Sequence, residues 1–267
     1  MLSTLASALL HLLTFLPGFE RELRVLTAVV RRGDTVVDLG AALGVYSFSL
    51  AAIVGRDGAV HAFEPRPSAS RRLTRLARWL RLPWLHVHGV AAGATAGHDV
   101  VVVPGRRWGI PGRSYLGGRA RHHRHDDGLV TVDQHQTWRV TLDSHFLLDG
   151  PPAQPGAPTR QRVNGRHPGH LIDRPPIAFI KCDIEGGELD ALRGAERILT
   201  TDRPIVMCEI EERHVRRFGH EVREVVAFLT GCRYERIDLG ARGSADGRNQ
   251  LWAPIERATT VRSALSS

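Results

Sequence analysis

The fold is decided by residues 36–44, VVDLGAALG, a β-branched run that ends at Asp38 and enters a glycine-rich turn closed by Gly44. This pattern predicts a buried strand whose chain bends sharply beneath a ligand and continues into a helix. A second apolar strand, residues 59–63, is followed by Glu64, twenty residues after Gly44. A carboxylate at that place can accept hydrogen bonds from both hydroxyls of a ribose. The two segments together predict a nucleoside pocket.

The spacing of the glycines indicates which nucleoside binds. Dinucleotide-binding turns use G-x-G-x-x-G, whose middle glycine lets a pyrophosphate approach the helix N-terminus. Here the turn is G-x-x-x-G with alanine at the middle position, and its preceding aspartate would repel a diphosphate but can bind an ammonium directly or through water. S-adenosylmethionine carries a ribose and an ammonium and no phosphate, so we expect it as the cofactor. The predicted cofactor-binding residues of these two segments are Asp38, Gly40, Ala42, Gly44 and Glu64.

Length and charge limit the class of protein. The 267 residues suit one α/β domain with a sizeable core. The formal net charge of +8 favours acidic partners, but Lys181 is the only lysine and the arginines are scattered without interleaved aromatic side chains on which bases could stack. Specific nucleic-acid binding is therefore not predicted.

The three cysteines and the apolar residues 2–17 indicate the cellular location of the protein. The three cysteines lie in or near apolar runs and form no Cys-x-x-Cys pair, so we predict neither a disulfide framework nor a structural zinc site, and a cytoplasmic location. Residues 2–17 are apolar but lack a basic leading region and are interrupted by polar side chains. We expect an amphipathic helix there and no transmembrane span, with a peripheral membrane contact left open.

Strand and helix patterns alternate along the chain and predict a mostly parallel, doubly wound α/β sheet that ends in an antiparallel hairpin. We divide the chain into an N-terminal helical extension (1–32), one domain (33–255) and a C-terminal tail (256–267).

Two long loops, 104–135 and 149–176, interrupt the domain, and strands on either side of the first predict a hairpin. The first loop carries His122, His123 and His125, whose irregular spacing among arginines favours a flexible loop, so no metal site is predicted.

Acidic side chains follow the later strands of the predicted sheet. In open α/β sheets ligands lie beyond the carboxyl ends of the strands, where the strand order reverses. Asp183 and Glu209 stand at such ends, so we expect them to face the transferred methyl and its acceptor, whereas the acids after Asp183 could also serve only to stabilise the N-terminus of the next helix. Strand 85–90 leads into Ala91, which we expect beneath a bound adenine. The candidate catalytic residues are Asp183, Lys181, Glu185 and Glu209.

The chain resembles the FkbM family of S-adenosylmethionine-dependent methyltransferases, in the order and spacing of its motifs over roughly residues 35–240. The most specific of these motifs is IKCDIEGGE at residues 180–188, followed by Leu-Arg-Gly at 192–194. The sequence departs from the family in its two long loops and in Gly187, where the family often has alanine. The other motifs that carry the resemblance are VDLGAALG (37–44), FEP (63–65) and VTLD (140–143).

The resemblance implies a class I, Rossmann-like methyltransferase fold and methylation of a hydroxyl on a small molecule, a sugar or a secondary metabolite. An alcohol is a poor nucleophile, so transfer requires in-line alignment and a group that takes the proton. Asp183 is the candidate for that group or for orienting the hydroxyl. Lys181 lies two residues earlier on the same strand face, where it could tune Asp183 or act as its ion-pair partner.

Three alternatives stay open. A nucleic-acid methyltransferase is favoured by the charge, but Asp183-Ile184-Glu185 replaces the Asn/Asp-Pro-Pro-aromatic strand end typical of methylation of base amino groups. A nicotinamide dehydrogenase lacks the middle glycine that it needs. A non-catalytic scaffold with an intact cofactor fold is the alternative from outside the enzymes. The oligomeric state is not determined by the sequence.

Overall fold

The structure is a computed structural model that describes residues 19–105, 115–117, 131–147, 174–239 and 248–266. The predicted N-terminal amphipathic segment and the histidines at 122, 123 and 125 lie outside the described residues. Among the described residues, no helix is both long and apolar enough to cross a bilayer.

Strands and helices alternate as the sequence predicts. The elements in chain order are α1 (Phe19–Val29), β1 (Thr35–Leu39), α2 (Val45–Val54), β2 (Ala59–Phe63), α3 (Pro67–Trp79), β3 (Leu85–His88), β4 (Ala91–Ala92), β5 (Gly97–Gly105), β6 (Tyr115–Leu116), β7 (Thr131–Val140), α4 (Leu142–Leu147), β8 (Ile177–Cys182), α5 (Glu188–Arg193), α6 (Glu196–Thr201), β9 (Ile205–Glu209), α7 (Glu212–Arg217), α8 (Val222–Gly231), β10 (Tyr234–Ile237), β11 (Asn249–Pro254) and α9 (Ala258–Ser266).

The main sheet has seven strands in the order β10-β11-β9-β8-β1-β2-β3. The pairs from β3 to β9 are parallel, and β11 runs antiparallel to both β9 and β10. Strand order reverses between β1 and β8, so the crevice expected of an open α/β sheet lies at their carboxyl ends. The predicted doubly wound sheet and its terminal hairpin are confirmed.

Both faces of this sheet are buried under helices. The side chains of β1 and β9 are buried along their whole length, as the near-continuous apolar runs of parallel strands require. One apolar cluster centres on Val37, Leu39 and Ile180, and the other on Val36 and Phe179. The carboxyl ends of the central strands are therefore fixed in place by a close-packed core.

A second sheet of four strands has the order β4-β7-β5-β6. The predicted hairpin is the β5–β7 pair of this sheet. The loop predicted over 104–135 was too long at both ends, because β5 continues to Gly105 and β7 begins at Thr131. The polar sequence TVDQHQTWRV is typical of a loop, but its residues from Thr131 to Arg139 pair one by one with β5 and form a partly exposed strand. The predicted strand 85–90 was also too long, because the main sheet ends at His88 and Ala91 pairs with Arg139 of β7.

The last residues form a helix that packs onto the domain. Helix α9 lies within the predicted tail 256–267, and it buries Ala258, Val261 and Leu265 in the same apolar cluster as Val25 and Leu26 of α1. The helical spacing of these three side chains explains the contact. The three cysteines are free and buried.

Candidate functional site

The turn after β1 has the backbone geometry that its glycines predict. Gly40 and Gly44 have φ values of 84° and 86°, and Ala42 between them also has a positive φ of 48°. The amides of Gly40 and Ala41 donate to the carbonyl oxygen of Phe63 at 3.0 and 3.1 Å. A Cβ on Gly40 would overlap the carbonyl oxygen of Asp183. The close approach of β1 to β8 at the switch point therefore requires glycine at position 40.

Glu64 lies beneath this turn and is 2% exposed. Its Oε2 accepts a hydrogen bond of 2.8 Å from the backbone amide of Ala42. Its Oε1 accepts bonds of 2.9 Å from the backbone amide and from Nε of Arg66. The residue predicted to bind ribose thus also links the glycine turn to the end of β2. Arg66 was missed by the sequence analysis, although it stands only two residues from Glu64.

Asp38 is buried at the end of β1, next in register to Lys181 of β8. Ser47 Oγ donates a hydrogen bond of 2.5 Å to its Oδ2. Burial raises the pKa of Asp38 to about 6, against the opposing effects of this hydrogen bond and of the Lys181 ammonium. The carboxylate is therefore ionised at neutral pH but titrates close to it.

Lys181 is fully buried behind the carboxylates. Its Nζ donates a hydrogen bond of 3.1 Å to Asn249 Oδ1 and lies 4.9 Å from the centre of the Tyr46 ring. Burial opposes its charge, but the carboxylates of Asp183 and Glu209 outweigh burial and raise the pKa of Lys181. The side chain is therefore a fixed cation. The predicted ion pair with Asp183 is present, with Nζ 3.5 Å from Oδ2.

Asp183, Glu185 and Glu209 meet at the carboxyl ends of β8 and β9, where one carboxylate oxygen of each lies within 4.8 Å of the other two. The side chain of Asp183 is 32% exposed, whereas that of Glu185 is 11% exposed. Oxygen atoms at this spacing suit a hard divalent cation. The ammonium of Lys181 already supplies positive charge to the group.

His214 of α7 also belongs to this edge. Its Nδ1 lies 2.9 Å from Glu185 Oε2, and its ring is buried. Glu185 has a positive φ of 61°, and a Cβ on the following Gly186 would overlap the carbonyl oxygen of His214. Strained backbone held in place by close packing is typical of functional turns. The sequence analysis missed His214, Asn249 and Tyr46. Tyr46 stands two residues after Gly44 and His214 five residues after Glu209, whereas no local sequence signal connects Asn249 with the site.

Glu188 shapes the same turn from below. It is fully buried, and its Oε1 accepts hydrogen bonds from the amides of Ile184 and Gly186 at 3.1 and 3.0 Å. Burial raises its pKa to about 7, although these bonds act in the opposite direction. Glu188 therefore holds the backbone of the turn in place, in addition to the role at the N-terminus of the next helix that the sequence suggests.

The strand order, the glycine turn and the carboxylates at the ends of β1, β2 and β8 define a class I, Rossmann-like methyltransferase. The model of the methyltransferase FkbM domain matches residues 38–236. The chain belongs to the FkbM methyltransferase family, whose cofactor is S-adenosyl-L-methionine.

Several solved structures are similar to this chain at low sequence identity. The chain is similar to the methyltransferase FkbM of Methylobacillus flagellatus KT, with 18% identity and a TM-score of 0.48 over 82% of this chain and 43% of that one. It thus spans less than half the length of that chain. No curated protein matches it by sequence.

Two further structures are more distant. An S-adenosylmethionine-dependent methyltransferase of Aquifex aeolicus has 12% identity and a TM-score of 0.43, over 93% of this chain and 96% of that one. Fibrillarin of Aeropyrum pernix, with natively bound S-adenosyl-L-methionine, has 12% identity and a TM-score of 0.42, over 87% and 72%.

The residues at the β1 turn fit the family's cofactor. Gly40 and Gly44 have no Cβ and can therefore adopt the positive φ values that the turn requires, and Glu64 is held beneath the turn by its hydrogen bond to the amide of Ala42. Asp38 offers a carboxylate at the start of the same turn. Assignment of Asp38, Glu64 and Ala91 to cofactor contacts, and of the β8 acids to catalysis, stays a prediction.

Proposed function

We propose that this protein transfers the methyl group of S-adenosylmethionine to a hydroxyl of a small molecule, a sugar or a secondary metabolite. One observation carries the proposal. The Asp183 carboxylate is partly exposed at the switch-point edge, while the ammonium of Lys181 lies behind it at 3.5 Å. An accessible carboxylate with a fixed cation behind it suits an acceptor that must be held by a hydrogen bond from its O–H group.

On the cofactor side, Glu64 would accept hydrogen bonds from the ribose hydroxyls, and Asp38 would bind the ammonium of the amino acid end. The turn at Gly40 and Gly44 would let the nucleoside lie against the backbone. When bound, the cofactor supplies a methyl group that its sulfonium makes electrophilic. Ala91 is proposed to contact the adenine from the second sheet, where it is buried.

On the acceptor side, Asp183 would accept the hydrogen bond of the hydroxyl and so hold its oxygen in line for transfer. Lys181 would keep that carboxylate charged and in one orientation, because its own ammonium is fixed by Asn249. Glu185, restrained by His214, and Glu209 would border the acceptor. Since the ammonium stabilises the carboxylate, orientation of the hydroxyl contributes more than proton abstraction by Asp183.

A labelled-methyl assay tests the proposal. The purified protein is incubated with methyl-labelled S-adenosylmethionine and a metabolite extract, and the labelled product is identified by mass. We expect label on the hydroxyl of a small molecule and release of S-adenosylhomocysteine. Label in RNA or DNA would instead support a nucleic-acid methyltransferase. Tight cofactor binding without transfer to any fraction would support the scaffold alternative.

A further inference from the structure

A group of histidines lies at the β3 edge of the main sheet, apart from the carboxylates of β8 and β9. His61 of β2 faces His86 of β3 in register, and Phe63 faces His88. Because side chains alternate along a strand, all four lie on the same face of the sheet. His145 of α4 covers them, with its ring perpendicular to that of His88 at 4.5 Å between centres.

Three ring nitrogens converge within this group. One nitrogen each of His61, His88 and His145 lies within 4.8 Å of the other two, and His61 Nδ1 is 3.1 Å from His88 Nε2. All three side chains are half-buried, so an ion could reach them from solvent. Imidazole nitrogens at this spacing are the ligands of borderline transition metals, and three of them leave a fourth position for water.

We propose that His61, His88 and His145 form a site for a divalent transition metal of the zinc type, separate from the carboxylates of β8 and β9. Aromatic side chains form its walls, with the Phe146 ring 4.9 Å from His61 and the Phe63 ring 4.6 Å from His88. These apolar walls limit the access of solvent to the three ligands. The guanidinium of Arg174 lies 5.8 Å from the centre of the Phe146 ring. Its positive charge disfavours a bound cation, but Arg174 is not one of the three ligands.

The site would connect two strands and a helix that come from separate parts of the chain. Metal binding to the folded state alone stabilises it, so this site would anchor α4 to the sheet edge.

A hydrogen bond between His61 and His88 would also explain the distance of 3.1 Å between their ring nitrogens, without a metal. Metal titration distinguishes the two explanations. The full-length protein is freed of metal with a chelator, and Zn²⁺ binding is measured by calorimetry and by the rise in Tm. Co²⁺ is then added as a spectroscopic probe, because its visible bands report imidazole coordination and low coordination number.

Matched variants assign the binding to these residues. We expect one equivalent of Zn²⁺ to bind, with a loss of affinity of about tenfold or more in His88→Asn and in His145→Asn. Two controls should keep wild-type affinity: His98→Asn, whose ring packs edge-to-face against Trp138, and the combined His122→Asn, His123→Asn, His125→Asn variant. S-adenosylmethionine binding by calorimetry should be unchanged in all variants and shows that each is folded.

Three results would overturn the proposal. The first is wild-type protein that binds no Zn²⁺ and shows no Co²⁺ bands. The second is binding that disappears in the combined 122/123/125 variant but survives in His88→Asn and His145→Asn. The third is an equal rise in Tm with Zn²⁺ in the wild type and in both cluster variants.

Discussion

Lys181 Nζ lies 3.5 Å from Asp183 Oδ2, although the lysine is fully buried and the aspartate is one-third exposed. The pair therefore joins the interior of the sheet to the crevice at its carboxyl edge. A buried charge is tolerated only when it is paired and hydrogen-bonded, and Asn249 supplies the hydrogen bond. The interior member keeps its charge, and the exposed member presents part of its carboxylate to the crevice.

Asp183→Asn should keep cofactor binding and lose methyl transfer. Asparagine preserves the size of the side chain but removes the negative charge that orients the hydroxyl, so we expect the rate to fall by about 10²-fold. Calorimetry measures cofactor affinity, and release of S-adenosylhomocysteine measures turnover. Glu212→Gln removes one exposed carboxylate of α7 and should change neither. Turnover equal to wild type in Asp183→Asn would remove this residue from the mechanism.

Lys181→Met should destabilise the fold by about 3–5 kcal/mol, because it leaves carboxylates at the sheet end without their buried cation. Urea unfolding followed by circular dichroism measures the change. The double variant Lys181→Met with Asp183→Asn should recover part of this loss, since it removes one of the uncompensated charges. If the two changes are strictly additive, the ion pair contributes nothing to stability.

Gly40→Ala should abolish cofactor binding, whereas Gly33→Ala should not. The two glycines have nearly the same φ, 84° and 86°, so alanine meets the same backbone strain of about 1–2 kcal/mol at both. Only at Gly40 would the new Cβ overlap the carbonyl oxygen of Asp183, while nothing lies within 4 Å of it at Gly33. Calorimetry with S-adenosylmethionine, alongside unfolding curves, separates the two effects. Equal affinity in both variants would contradict the close approach of the turn to β8.

Cofactor affinity should fall with pH below about 6, because Asp38 must be ionised to bind an ammonium. Its pKa in the folded protein is raised to about 6, so the fraction ionised falls tenfold for each pH unit below that value. Equilibrium dialysis between pH 5 and 8 measures the profile. Asp38→Asn should bind more weakly at pH 8 and lose this dependence. An unchanged profile in the variant would assign the titration to another group.

Glu188→Gln should stabilise the protein at pH 8 by up to about 3 kcal/mol. Because folding raises the pKa of Glu188 from 4.5 to about 7, its contribution to stability is fully present below pH 4.5 and is lost as the pH rises to 7. Glutamine stays neutral and can accept the same two hydrogen bonds. The free energy of unfolding from urea titrations at pH 5 and pH 8 measures the effect. Glu196→Gln, at an exposed position, serves as the control and should show the wild-type pH dependence.

Much of the fold could be predicted because its signals are local. The β-branched run before Gly40 and the apolar residues before Glu64 each predict a strand with its polar group at the carboxyl end, and the order of elements then predicts the parallel sheet. The start of strand β7 was harder to predict from the sequence, because a partly exposed strand lacks the continuous apolar run of a buried strand. The strand predicted over 85–90 was too long, because the chain leaves the main sheet after His88 and enters the second sheet at Ala91 with no polar break between them.

By itself, the sequence determined the doubly wound sheet, the glycine turn and the carboxylates that end its strands, because each depends on residues close together in the chain. Only the tertiary structure decided that Asn249 fixes Lys181, that His214 restrains Glu185, and that three histidines from two strands and a helix converge. These contacts join residues far apart in the sequence. Their partners are chosen by strand order and packing, which no local pattern encodes.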